Sequence, residues 1–188
     1  MNSQATPHTR RAWWLAARPK TLSGALVSVV TATTLAYTSD TPHAAAPFLA
    51  VLCAAFAGLM QIASNFINDL IDFRRGRDGE DRLGPERACA QGWITPQAMQ
   101  RGIAITLILA AAVGLCSLVL FAHASQYPFA QLALWLGLVG VSCGAGAFLY
   151  TTHLSRLALG DVMVLIFFGL IPVSGTYFLL TDHLTLPA

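Results

Sequence analysis

The chain alternates between long stretches without charge and short segments in which the charged residues are concentrated. Four stretches contain no Asp, Glu, Lys or Arg, and they cover residues 21–39, 41–68, 102–155 and 162–181. A helix needs roughly 20 apolar residues to cross the hydrocarbon core of a bilayer. We therefore predict five membrane-spanning helices, near residues 22–38, 44–67, 102–122, 130–150 and 161–181.

The stretch 102–155 is long enough for two spans, and a polar segment at 123–128 divides it. In lipid, a spanning segment must satisfy its own backbone polar groups, and an α-helix does so within one segment. The expected fold is all-α, a polytopic transmembrane helix bundle that forms one membrane domain over residues 1–188. Residues 1–20 are expected at the membrane interface, and residues 68–101 are expected to form a charged loop.

Composition excludes an ordinary soluble domain. Hydrophobic residues make up 55% of the 188 residues and charged residues only 11%, whereas soluble domains carry about 25% charged residues. The formal net charge is +2. Because membrane topology accounts for where the basic residues lie, this small excess does not indicate a nucleic-acid partner. The partner indicated at this point is the lipid bilayer.

The basic residues predict the orientation of the bundle. All 11 Lys and Arg residues fall within 10–20 and 74–101 or at Arg156, and the connections 39–43 and 123–129 contain none. With five alternating spans, every basic residue lies on one side, which the positive-inside rule makes cytoplasmic. The N-terminus and the 68–101 loop are therefore expected in the cytoplasm, and the protein in a bacterial cytoplasmic (inner) membrane.

Two local signals mark where helices begin. Trp13 and Trp14 lie in a segment, 11–20, that is typical of a short interfacial helix, and Pro19 is expected to turn the chain into the first span. Thr95 and Pro96 are typical of an N-cap followed by the first helical residue. They predict a helix that continues into the third span.

The cysteines do not indicate a metal site or a disulfide. They are scattered, with no CxxC pair, at Cys53, Cys89, Cys116 and Cys143. Isolated cysteines of this kind are usually small buried apolar residues.

The strongest chemical pattern lies at the end of the second span. Polar side chains occur there at i, i+3, i+4 and i+7, namely Asn65, Asn68, Asp69 and Asp72. This spacing predicts one stripe on a helix. Carboxylates one turn apart, flanked by amides, are the hard oxygen donors that Mg²⁺ prefers. The plain alternative is that the aspartates end the helix, but a carboxylate at a helix C-terminus opposes the helix dipole.

The loop that follows mixes arginines, acidic residues and glycines. Arginines facing a carboxylate-metal cluster would bind diphosphate oxygens in a fork geometry. For Arg74, Arg75 and Arg77, a solvated, positive-inside loop is an equally good interpretation. The spacing fits neither an EF-hand nor a P-loop.

Four motifs together resemble a known family. They read Asn65-x-x-Asn68-Asp69-x-x-Asp72, then Gly76-x-Asp78, then Arg82-x-Gly84-Pro85-x-Arg87, then Gly92-x-Ile94-Thr95. This combination resembles the first aspartate-rich motif of the UbiA superfamily of intramembrane prenyltransferases. The 82–87 portion and residues 18–22 resemble the menaquinone branch, which prenylates 1,4-dihydroxy-2-naphthoate. The resemblance covers about residues 15–180.

The resemblance implies a reaction and a set of site residues. The reaction is Mg²⁺-dependent transfer of a polyprenyl group from polyprenyl diphosphate to 1,4-dihydroxy-2-naphthoate, giving demethylmenaquinone in menaquinone biosynthesis. By motif position, the expected catalytic and metal-binding residues are Asn68, Asp69 and Asp72. The expected substrate-binding residues are Asn65, Asp78, Arg82, Arg87, Lys20 and Arg156.

One departure from the family pattern affects how the chain is interpreted. The family has a nine-helix bundle with a second aspartate motif in its C-terminal half, and these 188 residues contain only the first motif. The chain is therefore expected to be the N-terminal part of that fold, truncated at the C-terminus. Two alternatives stay open: a catalytically inactive fragment, and a membrane cation-coupled transporter whose Asn/Asp stripe binds the cation.

Overall fold

The computed structural model describes residues 9–39, 41–76, 86–152 and 160–184. Within these ranges the regular secondary structure is helical: α1 Arg10–Ala17, α2 Pro19–Ser39, α3 Ala46–Arg74, α4 Pro96–Ala122, α5 Phe129–Thr152, α6 Gly160–Val164, the π-helical segment Leu165–Leu170, and α7 Ile171–Thr181. Five helical runs, with α6 to α7 counted as one, are long and apolar enough to cross a membrane. The predicted all-α membrane bundle is confirmed.

The N-terminal segment forms a short helix and then a sharp turn, as predicted. The Thr9 hydroxyl accepts a hydrogen bond from the Ala12 amide (3.3 Å) and caps α1. Arg18 ends α1 with a left-handed backbone (φ 52°), and Pro19 begins α2. Trp14 is 64% exposed, but the Trp13 ring packs edge to face on Phe66, with 5.5 Å between ring centroids. Only one of the two tryptophans therefore faces outward.

The second span is longer than predicted, and the connection after it is shorter. α3 continues to Arg74, so Asp69 and Asp72 lie on a helix with the rest of the stripe, as its spacing predicted. α4 begins at Pro96, where the Thr95 hydroxyl accepts a hydrogen bond from the Ala98 amide (3.3 Å). The predicted N-cap is confirmed. The predicted loop 68–101 is too long at both ends, because hydropathy marks the apolar core of a span and not the polar turns that extend it.

The fifth span contains a π-helical segment. Residues 165–170 have this geometry between α6 and α7. The Ser28 hydroxyl of α2 donates a hydrogen bond to the Phe168 carbonyl within it. π-Helical segments inside α-helices often occur at functional sites, and Phe167 and Phe168 of this one line a cavity between the helices.

The two ends of the bundle differ in the residues that they contain. At one end the Ser125 hydroxyl (2.5 Å) and the Gln126 amide (3.0 Å) both donate to the Asp182 carboxylate. At the opposite end, α1, the end of α3 and the 86–95 connection meet. We call this the basic end, because it holds all the basic residues that the structure describes: Arg10, Arg11, Arg18, Lys20, Arg74, Arg75, Arg87 and Arg101.

Two apolar clusters hold these ends together. The cluster at the basic end joins α1, α3 and the 86–95 connection through residues such as Ala16, Phe66 and Trp93. The other cluster joins α2, α3, α4, α5 and α7 around Leu49, Phe121 and Leu180. Large apolar side chains are exposed on the outer surface, for example Ile108 (67%) and Val141 (72%). Exposed apolar side chains of this kind are expected on helices that are long and apolar enough to cross a membrane.

Candidate active site

The Asn/Asp stripe of α3 separates into two rows with different surroundings. Asn65 and Asp69, one helical turn apart, are buried, with 4% and 1% of their surface exposed. Asn68 and Asp72, also one turn apart, are half-buried. The stripe is about 100° wide at 3.6 residues per turn, so its two edges face different neighbours.

Asn65 attaches α3 to the junction between α1 and α2. Its side-chain amide donates hydrogen bonds to the Ala17 carbonyl (2.8 Å) and the Thr21 hydroxyl (2.9 Å). Gln61, one turn earlier on α3, donates to the Asn65 side-chain oxygen (3.2 Å) and to the Thr21 hydroxyl (3.2 Å). Asn65 therefore contacts this protein's own backbone, and its predicted substrate contact stays a prediction.

The Asp69 carboxylate binds two consecutive backbone amides of the 86–95 connection. The Ala88 amide donates to one carboxylate oxygen (2.8 Å) and the Cys89 amide to the other (2.9 Å). The turn that presents these amides has its own hydrogen bonds, from the Trp93 and Ile94 amides to the Ala88 carbonyl (2.9 and 3.2 Å). Asp69, predicted as a metal ligand, thus already has two partners within the chain.

Asp72 forms an ion pair with Arg87. The guanidinium lies 2.5 Å from the carboxylate, and the exposed fractions of the two side chains are 6% for Arg87 and 15% for Asp72. The structure therefore brings together two predicted site residues that are far apart in sequence. Arg87 is the more buried partner, and Asp72 keeps part of its surface exposed.

Asn68 lines a cavity of about 640 Å³ between α2, α3, α4, α5 and the α6–α7 run. A volume of 300–1,000 Å³ is typical of small-molecule sites. Along α3 the lining extends from Cys53 to Asn68, which is about 22 Å of helix at 1.5 Å per residue. Four polar residues of α3 line the cavity near the basic end, namely Gln61, Ser64, Asn65 and Asn68, and the remaining walls are mainly apolar.

The other predicted site residues are less well placed or lie outside the described ranges. Lys20, in the first turn of α2, is exposed and does not line the cavity. Asp78, Arg82 and Arg156 lie outside the described residues. The substrate-binding roles of these four residues stay predictions.

The donor set at Asn68 and Asp72 fits a magnesium ion. An amide oxygen and a carboxylate lie one turn apart on the half-buried row of α3. Mg²⁺ usually takes one or two carboxylates, keeps several waters and accepts substrate phosphate oxygens. Among the described residues, no group of three or more His, Cys, Asp or Glu side chains could hold a metal.

Several residues that build the site were not identified from the sequence. Phe167 lines the cavity from the π-helical segment, and its ring packs so closely on Gly146 that a Cβ there would lie 2.4 Å from it. Gln61 lies one turn before Asn65, so the helical spacing of the stripe could have included it. The amides of Ala88 and Cys89 carry no side-chain signal, and only the folded structure identifies them.

Comparisons with known proteins agree with this architecture. The model of the UbiA prenyltransferase family matches residues 25–188. The chain is 36% identical to a 1,4-dihydroxy-2-naphthoate octaprenyltransferase of Haemophilus influenzae, over 94% of this chain and 58% of that protein. It is also 36% identical to the Escherichia coli protein of the same name, over 100% of this chain and 59% of that protein.

A Mycobacterium tuberculosis protein of that name is 35% identical over 88% of the chain and 53% of its own length. The chain thus spans less than 60% of the length of these relatives. No solved structure matches it significantly. The family match covers most of the chain and includes every described residue of the site except α1 and the start of α2. The chain therefore belongs to the UbiA prenyltransferase family.

Proposed function

We propose that this protein transfers a polyprenyl group from polyprenyl diphosphate to 1,4-dihydroxy-2-naphthoate, giving demethylmenaquinone for menaquinone biosynthesis, with Mg²⁺ as cofactor. The observation that carries the proposal is the position of Asn68 and Asp72, where an apolar intramembrane cavity meets the basic end. A polyprenyl diphosphate has the same division into an apolar chain and a charged head. The names of the 36%-identical relatives support the naphthoate acceptor.

The cavity and the basic end would hold different parts of the donor. The apolar walls between Cys53 and Met60 on α3, and the facing residues of α5 and α7, would surround the prenyl chain. Arg87 would bind diphosphate oxygens, since a guanidinium matches them with two parallel N–H donors. Arg82 and Arg156 are proposed to add further positive charge, and Lys20 to bind the acceptor carboxylate.

Asn68 and Asp72 are the residues we propose to hold the metal and the diphosphate. Bound Mg²⁺ supplies charge stabilisation to the departing diphosphate. Asp78 is proposed to join them from the connection that follows α3. Asn68 and Asp72 both lie on α3, so they would stabilise the developing charge with little reorganisation.

The proposed reaction breaks one bond at the donor and forms one at the acceptor. The allylic carbon–oxygen bond breaks, and its electron pair leaves with the diphosphate. The electron-rich ring of the acceptor then supplies the pair for a new carbon–carbon bond. Loss of the acceptor carboxylate as CO₂ returns the electron pair of its bond to the ring. The product leaves as the reduced, prenylated ring.

The test is prenyl transfer in membrane vesicles that contain the full-length protein. Wild type, supplied with Mg²⁺, labelled polyprenyl diphosphate and 1,4-dihydroxy-2-naphthoate, is expected to form a lipid-soluble prenylated product. Asp72→Asn is expected to lower turnover by about 100-fold or more, the scale for losing a group that stabilises transition-state charge. The matched control is Glu86→Gln, an exposed carboxylate next to Arg87 on the 86–95 connection, which should retain wild-type turnover.

Two results would count against the proposal. Wild-type turnover by Asp72→Asn would remove the assigned metal site. Metal-dependent cation flux without any prenylated product from wild type would favour the transporter alternative instead.

A further inference from the structure

We propose that Asp69 is a positioning residue that fixes the 86–95 connection against α3, and that it is not a ligand of the metal. This inference rests on the proposed function, because the connection that Asp69 fixes carries Arg87. It separates the two aspartates of the motif, which the sequence pattern alone treats as equivalent. Asp72 would bind the metal, and Asp69 would hold the 86–95 connection in place opposite Asp72.

The first step is the hydrogen bonding of the Asp69 carboxylate. Each of its oxygens accepts one bond from a consecutive backbone amide, Ala88 to Oδ2 at 2.8 Å and Cys89 to Oδ1 at 2.9 Å. Hydrogen bonds to an ionised carboxylate are stronger than those between neutral groups. Two such bonds from adjacent amides fix both the position and the orientation of the segment.

The two aspartates also differ in how far solvent can reach them. Asp69 is 1% exposed, whereas Asp72 is half-buried. Mg²⁺ requires near-octahedral coordination and usually keeps several waters. A carboxylate that is closed to solvent and occupied by backbone donors offers no room for that hydration shell. To ligate the ion, Asp69 would have to give up the amides of Ala88 and Cys89.

A further step is the register between the connection and α3. Arg87 immediately precedes Ala88, and Asp72 follows Asp69 by three residues, almost one turn along the same helix. Fixing Ala88 on Asp69 therefore places Arg87 opposite Asp72, where the two side chains form their ion pair. If Asp69 released the connection, this pairing would depend on Arg87 alone.

The 86–95 connection is also anchored at its other side, close to the start of α4. Trp93 and Ile94 are buried in the cluster of the basic end, and Gly92 has a left-handed backbone (φ 68°) that directs the chain into it. The connection is thus fixed at its far side by apolar packing and at its near side by Asp69. Arg87 is the residue directly before the near point, so the attachment of Ala88 to Asp69 restricts where its backbone can lie.

Amide hydrogen exchange on the wild-type protein tests this assignment without a measurement of enzyme activity. The peptide that contains Ala88 and Cys89 is expected to exchange slowly, and Mg²⁺ with inorganic pyrophosphate should change its rate by less than twofold. If Asp69 moves to a bound metal, both amides are released, and exchange should accelerate tenfold or more. That acceleration would overturn the proposal, whether or not the protein is a naphthoate prenyltransferase.

The second test compares magnesium dependence in two matched variants. Asp72→Asn is expected to raise the Mg²⁺ concentration for half-maximal activity at least tenfold. Asp69→Asn should leave that concentration unchanged within twofold and raise the KM for the polyprenyl diphosphate at least tenfold, since Arg87 is no longer held. A variant that is merely less well folded would lose active enzyme and lower kcat without changing KM.

The outcomes are distinct. If Asp69→Asn raises the Mg²⁺ requirement as Asp72→Asn does, Asp69 is a ligand and the proposal is wrong. If Asp69→Asn does not fold, the exchange experiment on wild type still decides between the two roles. A wild-type protein without prenyl transfer would contradict the proposed function, while slow exchange at Ala88 and Cys89 would still support the structural assignment.

Discussion

The ion pair between Asp72 and Arg87 joins a half-buried carboxylate to a buried guanidinium. Removing one member of a buried pair leaves the other without compensation and typically costs about 3–5 kcal/mol. Because Asp72 is 15% exposed, we expect a loss near the lower limit, about 3 kcal/mol, for Arg87→Met. The measurement is the free energy of unfolding in detergent micelles.

The control for this change is Arg101→Met, an exposed arginine at the same end of the bundle, which should change stability by less than about 0.5 kcal/mol. The double variant Asp72→Leu/Arg87→Met should recover most of the loss, because an apolar pair can replace a buried ion pair. If Arg87→Met unfolds like wild type, the pair does not stabilise the basic end.

At the scale of single residues, the sequence predicted the Asn/Asp stripe but not which contacts each of its side chains makes. Helical spacing places Asn65, Asn68, Asp69 and Asp72 on one side of α3, and the structure agrees. Which of them are buried depends on what packs there, and that depends on α1 and on the amides of Ala88 and Cys89. Backbone amides leave no trace in a sequence pattern. The difference between Asp69 and Asp72 was therefore not predictable.

Among the helices, the contact between α1 and α4 depends on a glycine. A Cβ at Gly102 would lie 2.6 and 2.8 Å from two atoms of the Trp13 ring, which is itself packed on Phe66. Gly102→Ala must therefore displace Trp13 and with it α1. Overpacking of this kind typically costs 1–3 kcal/mol, and we expect about 2 kcal/mol, measured as the free energy of unfolding in detergent.

The matched control is Gly58→Ala, because a Cβ at that helical glycine has nothing within 4 Å. It should stabilise α3 by up to about 1 kcal/mol, the difference in helix propensity between Gly and Ala. In a Trp13→Leu background, Gly102→Ala should cost little. A loss of the same size in that background would mean that the contact with Trp13 is not its cause.

The bounds of the helices illustrate what hydropathy can and cannot predict. All five predicted spans coincide with helices, because lipid requires about 20 apolar residues whatever the details of packing. α3 extends seven residues beyond its predicted end at 67, to Arg74. Its last turns are polar and are held by Asp69 and Asp72. Hydropathy therefore marks only the apolar part of this helix, whereas the spacing of the stripe predicted helix as far as Asp72.

For the whole molecule, the distribution of basic residues predicts which side faces the cytoplasm. The structure places every described Lys and Arg at one end, and Ser125, Gln126 and Asp182 at the other. The positive-inside rule predicts that the basic end is cytoplasmic. We therefore expect a cysteine at exposed Gln97, beside the start of α4, to be shielded in intact cells, and one at exposed Gln126 to be reachable from outside.

The experiment uses a chain without its four native cysteines, carrying either Gln97→Cys or Gln126→Cys, and a membrane-impermeant maleimide. With intact inner membranes, Gln126→Cys should be labelled at least tenfold faster than Gln97→Cys, and permeabilising the membrane should make the two rates similar. Labelling of Gln97→Cys alone would place the basic end outside. A polyprenyl diphosphate made in the cytoplasm could not then reach Asn68 and Asp72 from that side, so the same result would also contradict the proposed donor site.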